Sequence, residues 1–183
     1  MLAGCPVYED CTDDGTDGDP ADVVRQELTV RRHQATPVLD NGDADCILAD
    51  ATKALQTGEG TDDVACAVRL ARRGSVTEFN HGDGSIDSQA EFDALMRLPG
   101  GVKLVDEIIW CRRLMPNIAG CARSGSSLAV IPIASNMAGV PWAHEYGHVK
   151  GRHHRNVDNA LMHERPSTDG RRVNQAECDA FRC

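Results

Sequence analysis

The spacing of His144-Glu145-Tyr146-Gly147-His148, followed by Gly151 and His154, constrains this chain more than any other feature. On a helix, side chains four residues apart share a face, with Cβ atoms about 5–6 Å apart. His144 and His148 would therefore present two imidazoles to one point. Glu145 lies one position round the helix and would face a ligand held at that point. Glycine tolerates positive φ, so Gly151 is where such a helix can end and the chain can turn. The turn would swing His154 back toward the first two histidines. Three imidazole nitrogens suit Zn2+ at about 2.0–2.1 Å and leave one position open for water, as in catalytic rather than structural sites. Zinc lowers the pKa of such a water to near 7, within the range of a carboxylate base. The pattern thus predicts His144, His148 and His154 as metal ligands and Glu145 as catalytic base. Surface histidines at a helix end would reproduce it only if several independent spacings coincided.

Composition narrows the setting. A chain of 183 residues suits one domain of moderate size. Its formal charge of −9 disfavours nucleic acid and anionic membranes as partners, because phosphate binding needs clustered Lys and Arg. No segment approaches the roughly 20 apolar residues of a membrane span, so no membrane insertion is expected. Cysteines stand at 5, 11, 46, 66, 111, 121, 178 and 183. They are spread along the chain rather than grouped as two CxxC knuckles, which predicts disulfides and an oxidising compartment. The protein is therefore expected to be secreted or extracytoplasmic. The short-range pairs are Cys111–Cys121 and Cys178–Cys183. Met1 is followed by Leu-Ala-Gly-Cys, with neither the basic start nor the apolar run of an export signal. The expected location rests on the cysteines alone.

HEYGHVKGRHH at 144–154 fits HExxHxxGxxH, and through it the chain resembles the metzincin clan of zinc metallopeptidases. Asn159-Ala160-Leu161-Met162 is similar to the clan's Met-turn, and its spacing of eight residues after the third histidine is similar to matrixins. The resemblance implies that Met162 is a non-ligating hydrophobic base beneath the histidines. It also implies an edge strand that binds substrate antiparallel to itself. Leu128, Ala129, Val130 and Ile131 are the candidates for that strand; such backbone pairing recognises extended peptides. One catalytic zinc ion, a polypeptide substrate and hydrolysis of internal peptide bonds follow from the same likeness, with a monomer expected. The chain departs from familiar subfamilies at Arg155, after the third histidine. Glu164 stands two places after Met162, where a switching tyrosine ligand would be, and His163-Glu164 replaces the Tyr-Pro of matrixins. No subfamily is assigned.

Helices and strands mix without regular alternation, which predicts an α+β class. The resemblance arranges them as a twisted mixed sheet with a backing helix and an active-site helix, above a small C-terminal subdomain. Residues 1–32 read as an acidic N-terminal extension and candidate pro-segment. Residues 33–183 read as the catalytic domain, with an upper part 33–151 and a lower part 152–183. The pattern predicts a short helix or connector over Val23–Val30 and a strand over His33–Leu39 broken by Pro37. A helix follows over Asp43–Thr57 with Asp43 as cap, then one or two strands within Val64–Phe79, and a helix over Ser88–Leu98. Val102–Trp110 reads as one strand and Leu128–Ile133 as an edge strand, given Pro132. The active-site helix is expected from about Pro141 to Lys150, with Pro141 in its first turn. A last helix lies near Val173–Phe181.

Trp142 and Tyr146 are expected to pack into the core, and His153 to be exposed. Carboxylates in 13–22, and Asp83 and Asp87 in loop 81–87, are Ca2+ candidates that lack the full loop pattern. Cys5-Pro6 is a candidate thiolate latch, although a disulfide has the better claim on Cys5. Two other functions stay open. One is a catalytically silent zinc-bearing module that binds a partner protein, against which the intact Glu145 argues. The other is a latent zymogen with its N-terminal segment in the cleft.

Overall fold

The computed structural model describes residues 22–183 apart from 59, 116–117, 134 and 168–169. The first elements are two strands, β1 (Val24–Leu28) and β2 (Val30–His33). They replace the short helix or connector expected up to Val30 and the strand expected from His33 to Leu39. In β1 the exposed positions are Arg25 and Glu27, alternating with half-buried Val24 and Gln26. A polar outer face conceals the two-residue period from a reading of apolar residues.

Helix α1 (Asn41–Gln56) begins from Asp40, not Asp43. The Asp43 carboxylate accepts from Asp40 N at 3.2 Å and that of Asp40 from Asp43 N at 2.9 Å, a reciprocal capping box. Strands β3 (Val68–Arg72) and β4 (Thr77–Phe79) divide near Gly74, as expected. Next come β5 (Ser85–Ile86) and α2 (Gln89–Arg97), which Ser88 caps. The single strand expected over Val102–Trp110 is two. β6 (Val102–Leu104) stays in the main sheet, and β7 (Glu107–Ile108) leaves it to pair with β5. The remaining elements are β8 (Gly120–Arg123), β9 (Ser127–Val130), α3 (Ser135–Val149) and α4 (Gln175–Arg182).

The main sheet has the order β4-β2-β6-β9-β8, parallel throughout except for β8. β1 and β3 form a separate parallel pair. The expected mixed sheet with backing and active-site helices is therefore present. One face packs Leu48, Leu55, Trp142 and Phe181 against the sheet residues Val102, Leu128 and Val130. The other face packs Phe92, Leu95, Met96 and Ile108 with Ala129. Successive strand residues point to opposite faces. Leu128 and Val130 thus meet the helices while Ala129 meets the α2 side, and β9 is buried along its whole length.

This arrangement corrects the edge-strand expectation. β9 lies between β6 and β8, and it ends before Ile131 and Pro132. Pro132 therefore removes no hydrogen bond from the ladder and carries no information about an edge. The continuous apolar run reflects a strand covered on both faces. The edge beside α3 is β8, whose Gly-Cys-Ala-Arg sequence has no strand pattern.

Helix α3 starts at Ser135, so Pro141 sits in its interior rather than its first turn. Lacking an N–H, Pro141 leaves the Met137 carbonyl without its helical donor. Cys111 pairs with Cys121 as expected. Cys178 pairs with Cys66 rather than Cys183, whose thiol is free and exposed. The start of α4 is drawn to the segment before β3, where Val64 N donates to Val173 O at 2.8 Å. The Cys66–Cys178 bridge spans 112 residues, and loop-closure entropy assigns a bridge of that span about 4–5 kcal/mol. Cys5, Cys11, the Cys5-Pro6 latch and the carboxylates at 13–19 lie outside the described residues. Among the described residues no helix is long and apolar enough to cross a membrane.

Candidate metal centre

His144 and His148 project from one face of α3. His144 Nδ1 donates to Leu161 O at 2.7 Å, and His148 Nδ1 donates to Arg152 O at 2.7 Å. A carbonyl can only accept, so both protons sit on Nδ1 and each Nε2 keeps a bare lone pair. Gly151 takes φ 78° and turns the chain at the helix end. His154 then returns, with its Nε2 3.1 Å from that of His148, itself 3.1 Å from that of His144. Lone pairs this close repel one another unless a cation lies among them. Burial lowers the pKa of all three imidazoles, that of His144 to about 4. They are therefore neutral near pH 7, the form that binds a metal. Among the described residues this triad is the one group placed to hold a metal ion. In loop 81–87 the Asp83 carboxylate instead accepts from Ser85 N at 2.9 Å, within its own turn, and nothing supports calcium there.

Glu145 is buried beside the triad, and desolvation pushes its carboxyl up to about 8. A neighbouring cation acts the other way and restores the ionised form. Three neutral imidazoles therefore make a donor set that fits Zn2+, with one buried acid beside it. The carboxylate lies against Gly120, the first residue of β8. A Cβ at Gly120 would fall 2.8 Å from Glu145 Oε1, closer than real contacts allow. Gly120 is thus a site residue that the sequence did not reveal, since only the fold brings β8 onto α3. Gly120→Ala is expected to displace the carboxylate, and kcat/KM of any reaction that uses this carboxylate should fall by up to ~100-fold. Zinc content by mass spectrometry should not change; an unaltered kcat/KM would show that the contact does not matter.

Met162 is fully buried beneath the same helix. A Cβ at Gly147, between the two helical ligands, would lie 3.0 Å from Met162 Cε. Gly147 lets the turn bearing Met162 approach the helix. Asn159 opens that turn with φ 57°, a conformation asparagine tolerates better than most residues.

Arg155 proves to be a structural hub. Its guanidinium grips Glu177 at 3.0 and 3.2 Å, reaches Asp63 Oδ1 at 3.2 Å and donates to Arg172 O at 2.6 Å. Its backbone N–H donates to Met162 O at 2.7 Å. Arg172 also pairs with Asp63, whose side chain has 0% exposure. Glu177 in turn closes the capping box of α4 with Asn174. One side chain therefore ties the residue after the third histidine to the Met162 turn, to α4 and to the segment before β3. The only trace of this network in the sequence is the Asn174/Glu177 capping pair.

Trp142 and Tyr146 are buried in the core as expected, with Tyr146 Oη donating to Gln26 Oε1 at 3.0 Å. His153 is exposed. Glu164 lines the cleft, whereas the half-buried His163 accepts from Arg165 N at 3.1 Å in a local turn. The cleft itself has a volume of about 440 Å3 and is bounded by the triad, Glu145, Gly120, Pro141 and Pro166.

No family model matches the chain, and no curated protein matches it in sequence. Solved structures match its fold. Mature mirolysin of Tannerella forsythia, in complex with a cleaved peptide, aligns with TM-score 0.66 at 7% identity, over 89% of this chain and 92% of that one. Archaemetzincin from Methanopyrus kandleri aligns with TM-score 0.54 at 14% identity, over 88% and 96%. Metalloproteinase-II from Bacteroides fragilis aligns with TM-score 0.56 at 13% identity, over 89% of this chain and 54% of that one. The chain has the metzincin-type fold. Within that fold it carries a histidine triad able to bind a metal.

Proposed function

We propose that this protein is a zinc-dependent endopeptidase that hydrolyses internal bonds of extended polypeptides. One observation carries the reading: three imidazole Nε2 atoms and a buried carboxylate converge in an open cleft beside an antiparallel edge strand. Zinc held by His144, His148 and His154 would supply Lewis acidity and a water of pKa near 7. The chain's own groups supply the rest. β8 offers its outer backbone edge to a substrate strand lying antiparallel to it. Glu145, against Gly120 of that strand, takes a proton from the attacking water and delivers it to the leaving nitrogen. Met162 supports the helix turn between the two helical ligands from below. The likeness in fold to a metalloproteinase and to mirolysin holding a cleaved peptide supports this reading.

A silent zinc-bearing binding module would keep the fold, but it has no use for a carboxylate whose burial costs stability. Casein incubated with the protein should be cut at internal bonds. A chelator should stop the cutting and added zinc should restore it. Casein left intact under all three conditions would favour the silent module. The two disulfides among the described residues support an extracytoplasmic location. Of the candidate pro-segment 1–32, residues 24–28 and 30–32 belong to β1 and β2 and so to the folded sheets; activity that appears only after trimming ahead of β1 would mark a zymogen.

Zinc retention should follow the histidine pKa values. Protons compete with the metal only below the folded-state pKa. Burial lowers that of His144 from 6.5 to about 4 and depresses His148 and His154. Zinc should therefore stay bound as pH falls through 6.5 and leave as it approaches about 4. Dialysis across this range with metal analysis checks the point; complete loss already at pH 6.5 would contradict the buried environment.

A further inference from the structure

The Cys111–Cys121 disulfide staples the loop after β7 to the edge strand β8. Immediately after Cys111 the backbone turns left-handed at Arg112, with φ 60°, a conformation that non-glycine residues rarely adopt outside constrained sites. Arg112 and Arg113 both line the cleft and both are exposed. Arg113 lies 3.6 Å from Glu164 across the mouth. Among the described residues lining the cleft, Glu164 is the one carboxylate apart from Glu145. Arg112 is left without an ion pair or hydrogen bond among the described residues, and its charge reaches both His148 and His154. In a chain of net charge −9 the cleft mouth is thus locally positive, and local rather than net charge steers a ligand at short range.

We propose that Arg112 selects substrates carrying Asp or Glu within two residues of the scissile bond. A guanidinium fork matches a carboxylate in two parallel hydrogen bonds. A Lys or Arg in the same place would meet like charge. The proposal rests on the peptidase reading, with the cleft beside β8 as the substrate channel.

The test uses quenched-fluorescent peptides, identical except for Asp, Ala or Lys walked through the two positions on each side of the cut bond. In the zinc-loaded full chain, at least one position should favour Asp over Lys by about tenfold in kcat/KM. The ratio should fall in about 0.5 M salt and invert in Arg112→Glu. Equal turnover of the Asp and Lys peptides, or a ratio unmoved by Arg112→Glu, would overturn the proposal. Should no peptide be cut, the peptidase reading fails separately. Fluorescence anisotropy with the same peptides then decides: tighter binding of Asp peptides, lost in Arg112→Glu, sustains the role of Arg112, and equal binding removes it.

Discussion

Glu145→Ala should retain one zinc ion per chain yet lose peptide hydrolysis by about 100- to 10,000-fold. Glu145 neighbours His144 in sequence but faces the cleft rather than joining the three nitrogens, so its removal leaves the donor set intact. What would disappear is the group proposed to move the proton from water to the leaving nitrogen. Burial without a metal holds the carboxyl up near 8, so a stability gain in the metal-free variant is also expected, because a desolvated acid has been removed. Glu145→Gln, which keeps the shape, should be equally inactive. Zinc content, steady-state kinetics and chelator sensitivity measured together check the assignment, and normal turnover in either variant would show that another group is the base.

Arg155→Ala should be the most destabilising single change between His154 and the C-terminal helix α4, costing about 3–5 kcal/mol. It removes the guanidinium from Glu177, with 6% side-chain exposure, which then keeps the Asn174 N–H, and it leaves Asp63 with Arg172 among the described residues. For a chain of this size that loss corresponds to a melting temperature lower by roughly 6–20 °C. The backbone bond from residue 155 to Met162 O survives in alanine, but without the guanidinium the segment between His154 and the Met162 turn should loosen and zinc should dissociate faster. Adding Glu177→Gln to Arg155→Ala should recover part of the stability by removing one unpaired charge. Calorimetry of the two variants reads both effects. A melting temperature equal to that of the parent would mean that the ion network is ornamental.

The site was legible because its geometry is local. His144, Glu145 and His148 are fixed by one helical turn, Gly151 marks by its spacing where the chain can turn back to His154, and the Met162 turn was suggested by the resemblance. The helices α1 and α2 were legible for the same reason, since their buried residues recur at helical intervals. What stayed hidden depends on contacts distant in sequence. β9 reads as an edge until β8, built from small residues, is seen to pair outside it. β1 carries a polar face, so its alternation is not a hydrophobic signal. The Cys66–Cys178 bridge and the Asp63–Arg155–Glu177 network join segments whose proximity only the docking of α4 creates. Gly120 belongs to the same group: its meaning comes from a carboxylate on another element.

What lies among the three nitrogens decides what the site can do. X-ray absorption at the zinc edge on the purified protein, together with metal quantification, addresses it directly. One zinc per chain is expected, with three imidazole nitrogens at about 2.0–2.1 Å and a light-atom fourth ligand. A shell containing cysteine sulfur at about 2.3 Å, or a folded protein that takes up no zinc, would contradict it.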